Sequence, residues 1–214
     1  MPRRTKEDAL ATRHRLLDAA ELLFQAQGVS RTSLSDIARK AGTTRGAIYW
    51  HFKDKAALFN AMMERVTLPL ENAFENVGKN PEETPVGGVR QAVLQALRLT
   101  ATDARTRRVF EVLTQKVEYV DELQAVRARH LASRNKFLSR VEDGLRFAAS
   151  KQKLILPISL TDAAQGLHAM IDGLIQNWLL DTKAFDLLTT SERVMDVYLL
   201  GMGFSVGQAK AEGQ

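Results

Sequence analysis

Cysteine is absent from the 214 residues, and the four histidines, His14, His51, His130 and His168, include no pair four apart. Neither a disulfide framework nor a thiolate metal site is available to such a chain, and no preformed zinc site is expected. Gly-x-Gly-x-x-Gly and Walker-type loops are missing, and the one Gly-x-Ser-x-Gly spacing, Gly203-Phe204-Ser205-Val206-Gly207, follows a helical pattern instead of a strand and so lacks the context of a nucleophile elbow. No cofactor is therefore expected, and no enzyme. Long apolar runs are lacking too. The longest such stretch, Val197 to Phe204, is interrupted by glycine and falls far short of the roughly 18 apolar residues that span a bilayer. The opening Met-Pro-Arg-Arg-Thr-Lys has no signal-peptide core, so a cytoplasmic protein without a membrane partner is expected.

What is present is a 45% apolar content, enough for a real core. The net charge of +5 is unevenly placed: residues 1–56 hold 11 Lys/Arg against 6 Asp/Glu, and residues 57–214 hold 19 of each. An excess confined to the first quarter suits a polyanion there and a different task for the rest. By itself such a run also fits a plain solvated face.

From Asp8 to Gln27 the residues Leu16, Leu17, Ala20, Leu23 and Phe24 form the stripe of an amphipathic helix, which Gly28 ends. Ser33 with Asp36 has the form of a capping box opening a short helix through Leu34, Ile37, Ala38 and Ala41. Gly42 supplies the turn. Thr43 and Thr44 can cap a third helix over Arg45 to His51, and Asp54 a fourth through Leu58, Met62 and Val66. Two short helices joined by a tight glycine turn make a helix-turn-helix.

The third helix is odd as a structural helix. Ile48 and Phe52 can face a core, but Arg45, Tyr49 and His51 then project elsewhere, and Gly46 lowers helix stability by about 1 kcal/mol. A glycine lets the helix approach a groove, Arg45 can reach a guanine edge, and Tyr49 and His51 can donate to phosphates. Lys55, a cation at a helix start, is disfavoured by the macrodipole yet well placed for a phosphate. Tyr49 and Trp50 also suit packing, and Trp50 is expected to anchor this helix against the first.

Thr32-Ser33-Leu34-Ser35-Asp36-Ile37-Ala38, followed by Ala41-Gly42-Thr43-Thr44-Arg45-Gly46-Ala47-Ile48-Tyr49-Trp50-His51-Phe52-Lys53-Asp54-Lys55, resembles the DNA-binding motif of the tetracycline-repressor (TetR) family. Within it, Arg-Arg-Thr-Lys-Glu-Asp-Ala and Thr-Arg-Gly-Ala-Ile-Tyr-Trp-His-Phe are similar to repressors of multidrug efflux pumps, the AcrR-like branch. The resemblance implies an all-α fold: a three-helix DNA-binding domain at 1–56, a bridging fourth helix at about 55–76, and a larger helical ligand-binding and dimerisation domain at 57–214. It implies Thr44, Arg45, Gly46 and Tyr49 in the major groove of operator DNA, with Ser33, Tyr49, His51 and Lys55 on phosphates.

Residues 76–88, rich in proline and glycine, read as a loop. Beyond it, helices are expected at about 89–102, 105–116, 120–149, 161–181 and 189–205, without strands. In Asp162 to Leu180, an apolar surface of Leu167, Met170, Ile171, Leu174, Trp178 and Leu179 is accompanied by a polar stripe of Gln165, His168, Asp172 and Gln176. That stripe fits a cavity for a mostly apolar ligand, and equally a solvated edge or a polar interface seam. Asp172-Gly173-Leu174-Ile175 with Trp178-Leu179-Leu180 resembles the penultimate helix of efflux-pump repressors, which implies Asp172 beside an effector pocket; the shared pattern around Asp103-Ala104-Arg105-Thr106-Arg107-Arg108 implies Phe110, Thr114 and Phe137 lining it, and the polar stripe adds His168 and Gln176. The effector is then small and hydrophobic or aromatic. Val194, Tyr198, Leu199 and Met202 give the last helix an apolar face. With Leu174 and Trp178 it suits a four-helix homodimer interface, or packing within one subunit.

Overall fold

The structure, a computed structural model, describes residues 6–75, 86–118 and 123–206, with the side chains of 73–75 left aside. The Arg-Arg-Thr stretch near the start, most of the 76–88 loop and the expected beginning of a helix at 120 lie outside them. Among the described residues there are nine helices and no strand. They are α1 (Lys6–Gln27), α2 (Leu34–Lys40), α3 (Arg45–His51), α4 (Lys55–Glu75), α5 (Gly87–Thr102), α6 (Ala104–Gln115), α7 (Gln124–Gln152), α8 (Leu160–Leu180) and α9 (Leu187–Gly201). The all-α expectation holds, and the expected helix boundaries that fall on described residues lie within a few residues of these.

The local signals account for the breaks. Gly28 and Gly42 take φ of +85° and +66°, values at which a side chain is strained. The Ser33 hydroxyl accepts from Asp36 N–H at 3.1 Å, and Asp36 accepts from Ser33 N–H at 3.2 Å, closing the capping box. Thr44 Oγ1 caps α3 through Ala47 N–H at 3.2 Å, and Asp54 caps α4 through Ala57 N–H at 2.7 Å. Orphan amides at three helix starts are thus satisfied by the side chains the sequence supplies.

The chain divides into two compact units, Met1–Thr67 with Ala104–Ala132 and Leu68–Asp103 with Ser133–Gln214. The first packs α1 against α2, α3 and α6. Its core holds Leu16, Leu17, Ala20, Phe24, Ile37, Ile48, Leu58, Phe59 and Met62, all at 0% exposure, with the Phe24 and Phe59 rings 5.8 Å apart. At about 1.5–3 kcal/mol per large buried apolar side chain, this cluster holds the two seven-residue helices α2 and α3, which would not persist alone. The second packs α9 against α5 and α8, around Leu97, Leu145, Leu167, Met195 and Leu199. Arg90 of α5 reaches Asp196 of α9 through Nε at 2.6 Å and Nη2 at 3.0 Å. A Cβ on Gly166 would meet the Tyr198 hydroxyl, which would have to shift to admit a side chain.

One expectation is overturned. Trp50 does not anchor α3 against α1, for it is 74% exposed. The inward positions of α3 are Ile48 and Phe52, both buried, and Trp50, two residues from each, lies about 200° around the helix.

Candidate nucleic-acid interface and ligand-binding helix

In the first unit Arg45, Gly46, Tyr49 and Trp50 are exposed together on α3, while His51 is half-buried. The Arg45 guanidinium lies 5.9 Å from the Tyr49 ring centroid, and the Trp50 and His51 rings meet edge-on at 4.6 Å. Thr44, exposed, spends its side-chain oxygen on the α3 cap. Among the described residues nothing explains Gly46, since the nearest atom to a Cβ built there is Thr44 Oγ1 at 4.0 Å. Ser33 is exposed at the start of α2 and donates its hydroxyl to Asp36 Oδ2 at 2.6 Å. The Ser33 hydroxyl and amide, with the Arg39 guanidinium, hold the Asp36 carboxyl below the usual aspartate range.

Lys55 has a second employment that its sequence position does not reveal. Its ammonium donates to the Val29 and Ser30 carbonyls at 3.1 and 3.3 Å, while Val29 N–H donates to the Lys116 carbonyl at 3.1 Å. The loop between α1 and α2 is thus held from the start of α4 and from the end of α6. Pairings of residue 29 with residues 55 and 116 leave no local pattern to find.

In the second unit the Phe137 and His168 rings meet edge-on at 5.4 Å, and Asp172 accepts from Gln176 Nε2 at 2.6 Å. These four side chains are half-buried except Gln176, which is exposed. Phe110 and Thr114 lie on α6 in the first unit, both half-buried. The Thr114 hydroxyl donates to the Phe110 carbonyl at 2.8 Å, leaving it an acceptor only.

Of the residues expected at a dimer interface, Trp178 and Met202 are buried, Leu174 is half-buried, and the Tyr198 hydroxyl donates to the Ala163 carbonyl at 2.9 Å. Val194 is 37% exposed. Beside it in the same stripe, Val197 is 70% and Leu200 56% exposed. The spacing of three from Val194 to Val197 to Leu200 is the signal that points to them.

Residues 16–62 match the model of the tetR family of bacterial regulatory proteins, and residues 84–204 match the C-terminal region of MAATS-type transcriptional repressors. The chain belongs to the TetR family. It is 37% identical over 199 residues, 93% of this chain and 95% of the relative, to the HTH-type transcriptional regulator TtgR of Pseudomonas putida. Its structure resembles that of NalD, the secondary repressor of the MexAB-OprM multidrug efflux pump in Pseudomonas aeruginosa, with a TM-score of 0.83 and 36% identity over 92% of this chain and 98% of that one. It also resembles SmeT, repressor of the Stenotrophomonas maltophilia pump SmeDEF, in its triclosan complex. There the TM-score is 0.79 and the identity 30%, over 95% of this chain and 99% of that one.

TetR-type proteins are transcription regulators, not an enzyme family. Among the described residues no helix is long and apolar enough to cross a membrane, and no group of three or more acidic or histidine side chains is placed to hold a metal ion.

Proposed function

We propose that this chain is a cytoplasmic repressor that binds a palindromic operator as a homodimer, is released by a small hydrophobic or aromatic molecule, and controls a multidrug efflux operon. The observation that carries the reading is the outer face of α3. Arg45, Gly46, Tyr49 and Trp50 are exposed together while Ile48 and Phe52 are buried, and an exposed Trp beside a glycine with no internal steric cause suits a surface made to meet a groove.

Thr44, Arg45, Gly46 and Tyr49 then face the major groove, with Arg45 on a base edge. Ser33, Tyr49, His51 and Lys55 hold phosphates, Ser33 and Lys55 by exchanging part of their present hydrogen bonds. Residues 1–56 form the DNA-binding domain, α4 bridges, and 57–214 carries effector binding and dimerisation. Asp172 with Gln176, His168 and Phe137 orients the effector in the second unit; for Phe110 and Thr114 of the first unit a role in effector binding rests on the family resemblance alone. The outward stripe of α9, Val194 with Val197 and Leu200, joins Leu174 of α8 in the subunit interface; Trp178, Tyr198 and Met202 support that face from within. What supports the efflux assignment is the likeness to NalD and SmeT across nearly the whole chain.

Footprinting on the DNA flanking its own gene tests the reading. The expected result is one protected inverted repeat occupied by a dimer. Protection without an inverted repeat, by a protein monomeric at about micromolar concentration, would overturn it.

A further inference from the structure

Glu21, in the middle of α1, is a carboxylate only 2% exposed. Arginines from two other helices surround it: Arg65 of α4 at 3.3 Å, and Arg105 and Arg108 of α6 at 3.5 and 3.7 Å. Asp18, one turn earlier, shares Arg65 at 2.8 Å and Arg105 at 3.0 Å. Burial pushes the Glu21 carboxyl up, and Arg65 and Arg105 pull it back. Further along the same helix pair, Gln25 of α1 donates to Glu111 of α6 at 2.7 Å. At the end of α6 the Lys116 carbonyl takes Val29 N–H, in the loop that Lys55 grips. Helix α6 is therefore fastened to α1 at two levels, around Glu21 and at Gln25, and the residue that follows it, Lys116, is fastened to the loop that Lys55 grips.

A buried ion removed from its partners is among the costliest defects a core can carry. An α1–α4–α6 joint centred on Glu21 has no cheap way to open, so a shift of α6 cannot be taken up between the helices. We propose that Glu21 is a positioning residue of the release step: its ion cluster locks α6 to α1 and α4, so that displacement of α6 by an effector is delivered to the DNA-contacting helices. The inference rests on the reading of the chain as an effector-released repressor.

The test compares the full-length dimer as wild type, Glu21→Gln and Arg105→Gln in two readouts. Amide exchange at Val29 should accelerate about tenfold or more in Glu21→Gln, with exchange at Leu199 in α9 unchanged. Operator affinity with and without triclosan should differ by about 5- to 150-fold in wild type and by less than about 3-fold in Glu21→Gln, while triclosan binds the free variant as it does wild type. Arg105→Gln, whose side chain is 45% exposed, should move both readouts in the same direction and carries the test if Glu21→Gln fails to fold. Wild-type exchange at Val29 in the folded variants overturns the inference, as does a wild-type affinity ratio. If triclosan does not release the wild type, the effector reading loses that ligand, and the exchange measurement still decides the joint.

Discussion

Gly46 lies inside α3 with room around it for a methyl group, and helix propensity alone favours alanine there by about 1 kcal/mol. Gly46→Ala should therefore raise the thermal stability of the free protein and weaken operator binding, read by calorimetric unfolding and fluorescence anisotropy. A variant both more stable and equally tight would deny α3 its close approach to DNA. Arg45→Ala should relax discrimination at one base pair by roughly 1–3 kcal/mol. Lys55→Ala should weaken all sequences alike and flatten the salt dependence. Because Lys55 also holds two carbonyls of the α1–α2 loop, its loss should lower the unfolding midpoint, which Arg45→Ala should not. Such residue-scale facts were only partly legible. The exposure of Arg45 followed from the helix period, whereas the large indole of Trp50 argued for a core position, and only the placement of Ile48 and Phe52 settles that it faces out.

Helix starts were the most legible elements, because a cap and its amide are three residues apart and written in consecutive sequence. The caps of α2 and α9 carry a pH dependence. Asp36 is held low by the Ser33 hydroxyl and amide and by Arg39, and Asp186 by the amide and hydroxyl of Thr189. A carboxyl depressed in the folded state contributes stability above its unfolded value of about 3.9, and that contribution is lost as pH falls through the lower folded value. Unfolding midpoints should thus be insensitive to these caps near neutrality and fall in acid, and Asp36→Asn should lose less than wild type between about pH 5 and pH 3. Equal losses would show that Asp36 is not the group responsible. Pairings between helices were not legible. The Glu21 cluster joins residues 18, 21, 65, 105 and 108, and no periodicity links arginines on α4 and α6 to a carboxylate on α1. The outward stripe of α9 should behave as an interface: Val197→Glu should shift sedimentation towards the monomer while leaving the helical content unchanged.

For the whole molecule, the fold class and the order of helices were written in hydrophobic spacing, glycine stops and capping residues, and the family in the continuous run from Thr32 to Lys55. The effector-binding helix was less so, since the same polar stripe of His168, Asp172 and Gln176 suits a cavity, a solvated edge or an interface, and spacing cannot choose among them. Operator and effector should compete through this one protein. Titrating hydrophobic antibiotics, plant phenolics and triclosan by calorimetry into the free dimer and into the operator complex tests it most directly. At least one compound should bind the operator complex about 5- to 150-fold more weakly than the free dimer, and that compound should weaken operator binding by the same factor, as linkage requires. Asp172→Ala should reduce that compound's affinity and leave operator affinity without effector nearly intact. A panel in which nothing binds, or in which every ligand binds the free and operator-bound protein equally, would rule out such competition.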